Sequence, residues 1–250
     1  MKAVLLSIML SAVVFAQGLE TCTSCCFSGL GYVGVGYNVS FASNSGISNI
    51  IGEYNRSRPW LSEKMGDLSL MHGFSASFGT MIYPFMMELK YDQRSATLNA
   101  SGVPTASSSN TKVDRELIVN AQSITLGLSM PVFTGADNML TVWFGGSLDF
   151  VLPKIKTKAS TESDYKEFKY STEYAFSAYP TIMYEVAGTN VIVLARPYYM
   201  LSVLGDDYED LNRHLNANTY SRLEYDQTEG GFSNFGIELQ VVYYWSGFNY

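Results

Sequence analysis

FMMELKYDQRS, residues 85–95, decides how this chain is read. Met87, Leu89 and Tyr91 alternate without a break with Glu88, Lys90, Asp92 and Arg94. A period of two is the strand period, because successive side chains leave a strand on opposite faces. One face of this strand is apolar and the other carries charges of both signs. Alternation alone does not say which face meets water. A soluble barrel of the lipocalin kind and a membrane barrel share the period and differ in which face points inward.

Seven further runs alternate in the same way, at 30–41, 72–83, 116–130, 139–151, 174–186, 190–201 and 235–250. Val33, Val35, Tyr37, Val39 and Phe41 mark the apolar face of the first, and Ile237, Leu239, Val241, Tyr243 and Trp245 that of the last. In the fourth run the apolar parity slips near Gln122, which reads as a bulge, and in the last it slips at Ser246 and Gly247. The connections sort into two kinds. Those at 42–71, 96–115, 152–173 and 202–234 are long, and those at 83–84, 131–138 and 187–189 are short, with Pro84, Gly135 and Gly188 as turn residues.

An even strand number with strictly alternating short and long connections is the layout of an outer-membrane barrel, with short periplasmic turns and long outer loops. The fold expected is all-β: an eight-stranded antiparallel up-and-down transmembrane β-barrel. Aromatics near the ends of the runs, among them Tyr37, Phe41, Phe85, Tyr91, Tyr174, Tyr184 and Tyr243, suit the two interfacial girdles. The faces opposite the apolar ones carry Glu88, Lys90, Asp92, Arg94, Asp149, Glu185, Arg196 and Glu238. Eight strands enclose a space that side chains fill. These residues are therefore expected to form one paired charge network that plugs the lumen, because unpaired buried charge is costly. Gly34 and Gly36 are expected to make room for larger inward side chains.

The N-terminus bears on location. MKAVLLSIMLSAVVFAQG has one early cation, Lys2, then an uncharged apolar run and a small residue at Ala16. That is the layout of a secretory signal peptide over 1–16, and the run is too short to span a bilayer as a helix. The division expected is a signal peptide at 1–16, a cysteine-containing segment at 17–28 and a barrel at 29–250, with the mature chain in the cell outer membrane. Cys22, Cys25 and Cys26 form a CxxCC cluster in the middle segment. Zinc would need four ligands, and the chain adds only His72 and His214. A redox CxxC should open a helix, which Gly29, Gly31, Gly34 and Gly36 oppose. A local disulfide with one thiol left over suits an exported chain, and the pairing is not legible.

Without Lys2 the chain has 15 cations against 23 carboxylates, which argues against a nucleic-acid partner. In the first long connection Ile47, Ile50, Ile51 and Tyr54 fall at i, i+3, i+4 and i+7, so a short amphipathic helix is expected there. Ser45 is the expected cap, and Pro59 stops the helix near Arg58. Such a stripe reads as a lid over the barrel mouth or as a surface for a partner.

No catalytic, cofactor or metal site emerges. His72 and Ser75 lie three apart, so on a strand they face opposite ways. His214 lies in the acidic loop that holds Asp206, Asp207, Glu209 and Asp210, whose spacing matches no EF-hand. The strand and loop pattern, the leader and the aromatic end YYWSGFNY (residues 243–250) resemble small bacterial outer-membrane barrels of the OmpA/OmpX type, nearest to the "outer membrane protein beta-barrel" families of Bacteroidota. The function expected is a non-enzymatic, monomeric barrel in outer-membrane lipid. Its four long loops would serve binding, of an extracellular protein or glycan, or envelope integrity. A lipid-modifying barrel enzyme and a soluble lipocalin-like carrier are the alternatives.

Overall fold

The computed structural model describes residues 30–82, 84–104, 111–135, 139–217 and 223–246. The leader, the three cysteines and the last aromatics lie outside the described residues. In chain order the elements are β1 (Leu30–Ser43), α1 (Ser45–Arg56), β2 (Leu61–Glu63), β3 (Leu70–Ile82), β4 (Phe85–Gly102), β5 (Val113–Thr134), β6 (Leu140–Ala159) and β7 (Lys166–Lys169). Then follow β8 (Glu173–Glu185), β9 (Val191–Leu204), β10 (Asp206–Asp207), α2 (Glu209–Leu215), α3 (Tyr225–Thr228), β11 (Glu229–Gly230) and β12 (Ser233–Ser246).

Eight of these strands close a ring, β1–β3–β4–β5–β6–β8–β9–β12, with β12 returning to β1. Every pairing is antiparallel between chain neighbours, apart from the closing pair. β2 and β7 are short additions to β4 and β6. The expected eight-stranded barrel with a helix in its first long connection is the fold observed.

The apolar face of the ring points outward. Val35, Phe41, Phe74, Phe78, Leu89, Leu126, Phe144, Phe176, Leu201 and Leu239 are all exposed. On β6 the outward apolar series runs from Leu140 to Leu152. At strand spacing and the tilt usual for such barrels, that series spans about 30 Å along the barrel axis, close to a bilayer core. This orientation removes the lipocalin-like alternative, whose apolar face would line the inside.

Two sequence expectations need correction here, and both have one cause. The strands continue past the belt: β4 reaches Gly102, β5 begins at Val113 and β6 ends at Ala159, so much of the presumed loops at 96–115 and 152–173 is strand. The parity slip at Gln122 is no bulge, because Gln122 pairs in register with Gln93 and Leu152. The register shift of this hairpin lies between Pro131 and Phe133. What changes at Gln122 is the medium. Ile124, Leu126 and Leu128 face outward in the belt, whereas above it Leu117, Val119 and Ala121 face inward, and of the outward residues Asn120, Ile118, Glu116 and Asp114 just one is apolar. Outside, β6 turns from Leu152 to Lys154, Lys156 and Lys158. The strand keeps its pleat while its two faces exchange polarity.

Above the belt the barrel encloses an apolar cap. Ile47, Ile50, Ile51 and Tyr54 of α1 are buried with Leu211 and Leu215 of α2, Tyr208, Phe232, Leu117, Val151 and Ile155. The helical stripe is therefore a lid packed on its own barrel. Its N-cap is Asn44, whose Oδ1 accepts from Ile47 N at 3.1 Å. Ser45 lies inside the helix and donates to the Glu229 carbonyl, 3.1 Å. The segment at 202–234 was expected to carry little apolar content to fold it back; α2 corrects that. Asn216 donates to the Ile50 carbonyl at 3.1 Å, and Arg58 to the Leu215 carbonyl at 2.7 Å, which ties the two connections together.

Candidate functional site

The lumen is layered. At the short-turn end Met81, Met86, Trp143, Met183, Ile192 and Leu194 form a small apolar cluster. Above it lies the charged layer, and above that the apolar cap.

Arg196 of β9 is at the centre of the charged layer. Its guanidinium is within 2.6 Å and 3.1 Å of the two oxygens of Glu88 on β4, a bidentate grip, and 3.2 Å from Glu238 on β12. Lys90 reaches Glu238 at 2.9 Å. The Arg196 Nε donates to Thr181 at 3.2 Å, and the guanidinium stacks 4.8 Å over the Tyr179 ring. Tyr32 donates to Glu88 at 3.0 Å, and Gln240 to Glu238 at 2.8 Å. Two cations and two carboxylates thus balance, and with the side chains that complete them the layer draws on five strands. Glu238 and Arg196 are 0% and 1% exposed, a burial that only mutual pairing makes tolerable.

A second pair lies one layer higher. Arg94 Nε is 2.9 Å from Asp92, and Arg94 reaches the Tyr198 hydroxyl at 3.2 Å. Asn38 joins Tyr198 and Asp92, accepting at 2.9 Å and donating at 3.3 Å. Among the described residues no cation contacts Asp149; Thr125, Ser147 and Ser177 donate to it at 2.6, 3.2 and 2.6 Å. Glu185 is apart from all of these. It is half-buried at the short-turn end of β8 and accepts from the Tyr244 hydroxyl at 2.5 Å. Of the eight charged residues expected in one network, four form the central quartet, Asp92 and Arg94 a neighbouring pair, Asp149 a hydroxyl-ringed carboxylate, and Glu185 a rim contact. Between these groups a cavity of about 20 Å³ remains, the room of roughly one water. Gly34 and Gly36 face Gln240, Ser77 and Ser75, where a Cβ would collide with their side chains.

Sequence reasoning missed the hydroxyl and amide members, Tyr32, Asn38, Tyr179, Thr181 and Tyr198. Their only signal was inward parity on strands already recognised. It also missed the junction of cap and barrel. Glu173, the first residue of β8, accepts from Tyr208 at 2.8 Å and from the Phe232 backbone N–H at 2.8 Å. Tyr208 accepts in turn from Asn44 at 3.0 Å. Glu173 lies one residue above Tyr174 of the girdle, under the cap. Burial pushes its carboxyl up to about 7, against the pull of those two donors, with Asp206 adding to the rise.

The histidines do not assemble a nucleophile site. His72 faces outward and its Nδ1 is 2.8 Å from the Tyr37 hydroxyl, while Ser75 faces the lumen, where Gln240 donates to it. His214 of α2 lies 4.0 Å from Glu162 and against the Phe168 ring, and burial lowers its pKa. Among the described residues no group of three or more His, Cys, Asp or Glu is arranged to hold a metal.

No family model and no curated protein matches the sequence. Solved structures do. The attachment invasion locus protein Ail of Yersinia pestis is 13% identical, with 87% of this chain and 99% of that one covered and a TM-score of 0.45. Neisserial surface protein A is 14% identical, with 86% and 99% covered and a TM-score of 0.47. The translocator domain of the autotransporter NalP from Neisseria meningitidis is 11% identical, with 97% and 95% covered and a TM-score of 0.31. Likenesses this distant say nothing about ligand or activity.

Proposed function

We propose that this chain is an integral outer-membrane β-barrel protein, exported with loss of residues 1–16, that acts without catalysis as a surface-exposed scaffold. Its short turns lie in the periplasm and its capped end faces the medium. The capped end takes part in binding or adhesion, to an extracellular protein or glycan, or in envelope integrity. The observation that carries the reading is the exchange of polarity along β5 and β6: apolar outside and polar inside over a bilayer's height, then the reverse. Only a wall that passes from lipid into water asks for both patterns on one strand. The lumen is a plug and not a pore, since the charged layer is sealed between two apolar ones and its void is about 20 Å³.

Fractionation with a gel run before and after boiling tests this. An outer-membrane band that shifts on boiling is expected; a soluble periplasmic protein would overturn the reading. Orientation is tested with epitope tags. One inserted at Ser163–Asp164, at the exposed β6–β7 tip, should be detected on intact cells, and one at Gly188–Thr189 should not.

A further inference from the structure

Five of the nine lysines of this acidic chain fall in one hairpin, at 154, 156, 158, 166 and 169. β6 and β7 pair there with Lys154 opposite Lys169 and Lys156 opposite Glu167. Ile155 and Phe168, also opposite each other, are buried inward, so Lys154, Lys156, Lys158, Lys169 and Glu167 share the outward face. Glu167 gathers three of the ammoniums: Lys154 at 2.9 Å, Lys169 at 3.4 Å and Lys156 at 3.6 Å. The Lys154 hydrogen bond, first, holds the Glu167 carboxyl below its usual range. One carboxylate among three ammoniums leaves an excess of two positive charges. Lys158 is set higher, opposite Glu116 and beside the Tyr165 ring.

The height of this cluster gives it a meaning. Leu152 is the last apolar outward residue of β6, and Lys154 is the next outward one. At strand rise and barrel tilt, Lys154 and Lys156 stand about 5–10 Å above the edge of the apolar belt, within the headgroup zone. At the register of Lys154 and Lys156 the neighbouring strands carry uncharged outward side chains, Asn120 and Ser95, then Ile118 and Thr97. The cationic ridge is one-sided and continuous with the belt.

We propose that the outward face of the β6–β7 hairpin is a docking surface for the phosphate groups of an anionic lipid headgroup in the leaflet at the capped end. Glu167 sets the three ammoniums as a preformed cradle, and a phosphate approaching from the lipid side meets their excess charge without having to order them. The lipid's chains then lie against Leu152, Phe150 and Phe176, which ties one class of lipid to one side of the barrel. The inference rests on the membrane reading above.

The test uses the folded full chain in neutral phosphatidylcholine nanodiscs that hold an equimolar mixture of diphosphorylated lipid A and its dephosphorylated form, with retained lipid counted by native mass spectrometry. The wild-type chain should retain the phosphorylated form about ten-fold over the other, the scale of one or two lysines near an anionic surface. The variant K154Q/K156Q/K158Q/K169Q should lose that selection, and K64Q/K112Q should keep it. Absence of selection by the wild-type chain, a comparison that needs no variant to fold, overturns the proposal, as does selection that survives the quadruple substitution. Displacement of lipid A by millimolar inorganic phosphate would assign the ridge to a soluble anion and overturn the lipid assignment. A chain that inserts into neutral vesicles and shifts on boiling but shows no selection sinks only this proposal; one that fails to insert sinks the membrane reading.

Discussion

Leu117, Val119 and Ala121 line one interior and Ser123 and Thr125 another, although all five are successive inward residues of β5. The upper interior is apolar and closed by helices; the lower is polar and closed at the short-turn end by the apolar side chains around Met81, Met86 and Trp143. Below, the wall's outer face must satisfy lipid, so apolar side chains are spent outward and the inside is filled with charge that pairs with itself. Above, water wets the outside, and the inside can be an ordinary hydrophobic core. The two interiors should therefore fail differently. Loss of a lumen charge leaves a partner buried without water and strains the ring itself. Loss of a cap contact opens a lid and leaves the ring closed.

The largest effect is expected at Arg196. Arg196→Leu leaves Glu88 without its cation and removes one of the two that hold Glu238. Breaking a buried pair from one side costs about 3–5 kcal/mol. The midpoint for loss of the heat-modifiable band in detergent should fall clearly. Lys112→Leu, which breaks an exposed pair with Asp114 at 2.9 Å, is expected to move it little, since such pairs are worth about 0–1 kcal/mol. Equal midpoints for the two variants would contradict the paired lumen.

Ile50→Ala tests the other interior. Ile50 is fully buried in the cap, and truncation of such a residue costs about 2–5 kcal/mol. The cost should appear as local opening. Proteolysis within 202–217 should accelerate by more than ten-fold, on the scale of about 1.4 kcal/mol per decade, while the barrel's boiling midpoint stays at the wild-type value. A fall in that midpoint as large as that of Arg196→Leu would mean cap and barrel unfold as one unit, and the contrast between them would be lost.

Glu173 joins the two interiors and gives the cap a pH dependence. Its carboxyl is raised to about 7 when the cap is closed, against an ordinary value near 4.3 when it is open. Between these values the closed form holds a proton that the open form has released. Cap stability therefore falls as pH rises from about 4.5 to about 7 and is flat above, by an amount on the order of 3–4 kcal/mol. The protection of the α2 amides against hydrogen exchange, taken relative to their intrinsic rate at each pH, should rise on acidification from pH 8 to pH 5. Asp206, which also faces Glu173, and His214 on α2 remain in Glu173→Gln, which should abolish most of the dependence and protect α2 at pH 8. An unchanged pH profile in that variant would place the titration elsewhere.

The sequence made the ring legible and the inversion illegible for the same reason. Alternation is local, and every strand of the belt carries it, from Val33 in β1 to Tyr243 in β12. The polarity of a face, though, depends on what the face meets, and no window of residues states where lipid ends. At Gln122 a change of medium imitates a bulge. The lumen was legible as composition and not as geometry. Inward parity named Glu88, Arg196 and Glu238, but their meeting depends on the stagger of β4, β9 and β12, which are separated by up to 150 positions. Glu185 has the same parity and sits at the rim. The lysine ridge was the converse case: K-I-K-T-K at 154–158 is a plain period-two signal in a segment taken for loop.

The smallest effect expected is at Asn44, and it asks whether the lid is held by its own helix or by its neighbours. Asn44 Oδ1 accepts from Ile47 N at 3.1 Å, and its Nδ2 donates to the Tyr208 hydroxyl at 3.0 Å. One side chain thus caps α1 and reaches Tyr208 just before α2. Asn44→Ala removes both contacts, and loss of an N-cap costs about 1 kcal/mol. Asn44→Asp keeps the acceptor for Ile47 N and loses the donor toward Tyr208, bringing a carboxylate near Glu173 and Asp207. If the cap hydrogen bond dominates, Asn44→Asp should exchange α1 amides as slowly as wild type, and Asn44→Ala several-fold faster. If the reach to Tyr208 dominates, both variants should loosen α2, and the aspartate more so at pH 8, where Glu173 is ionised, than at pH 5. The first outcome is expected, because Tyr208 keeps its own donation to Glu173 and its burial in either variant. Loss of protection throughout α2 in Asn44→Asp at both pH values would make Asn44 the hinge pin of the lid and not merely its cap.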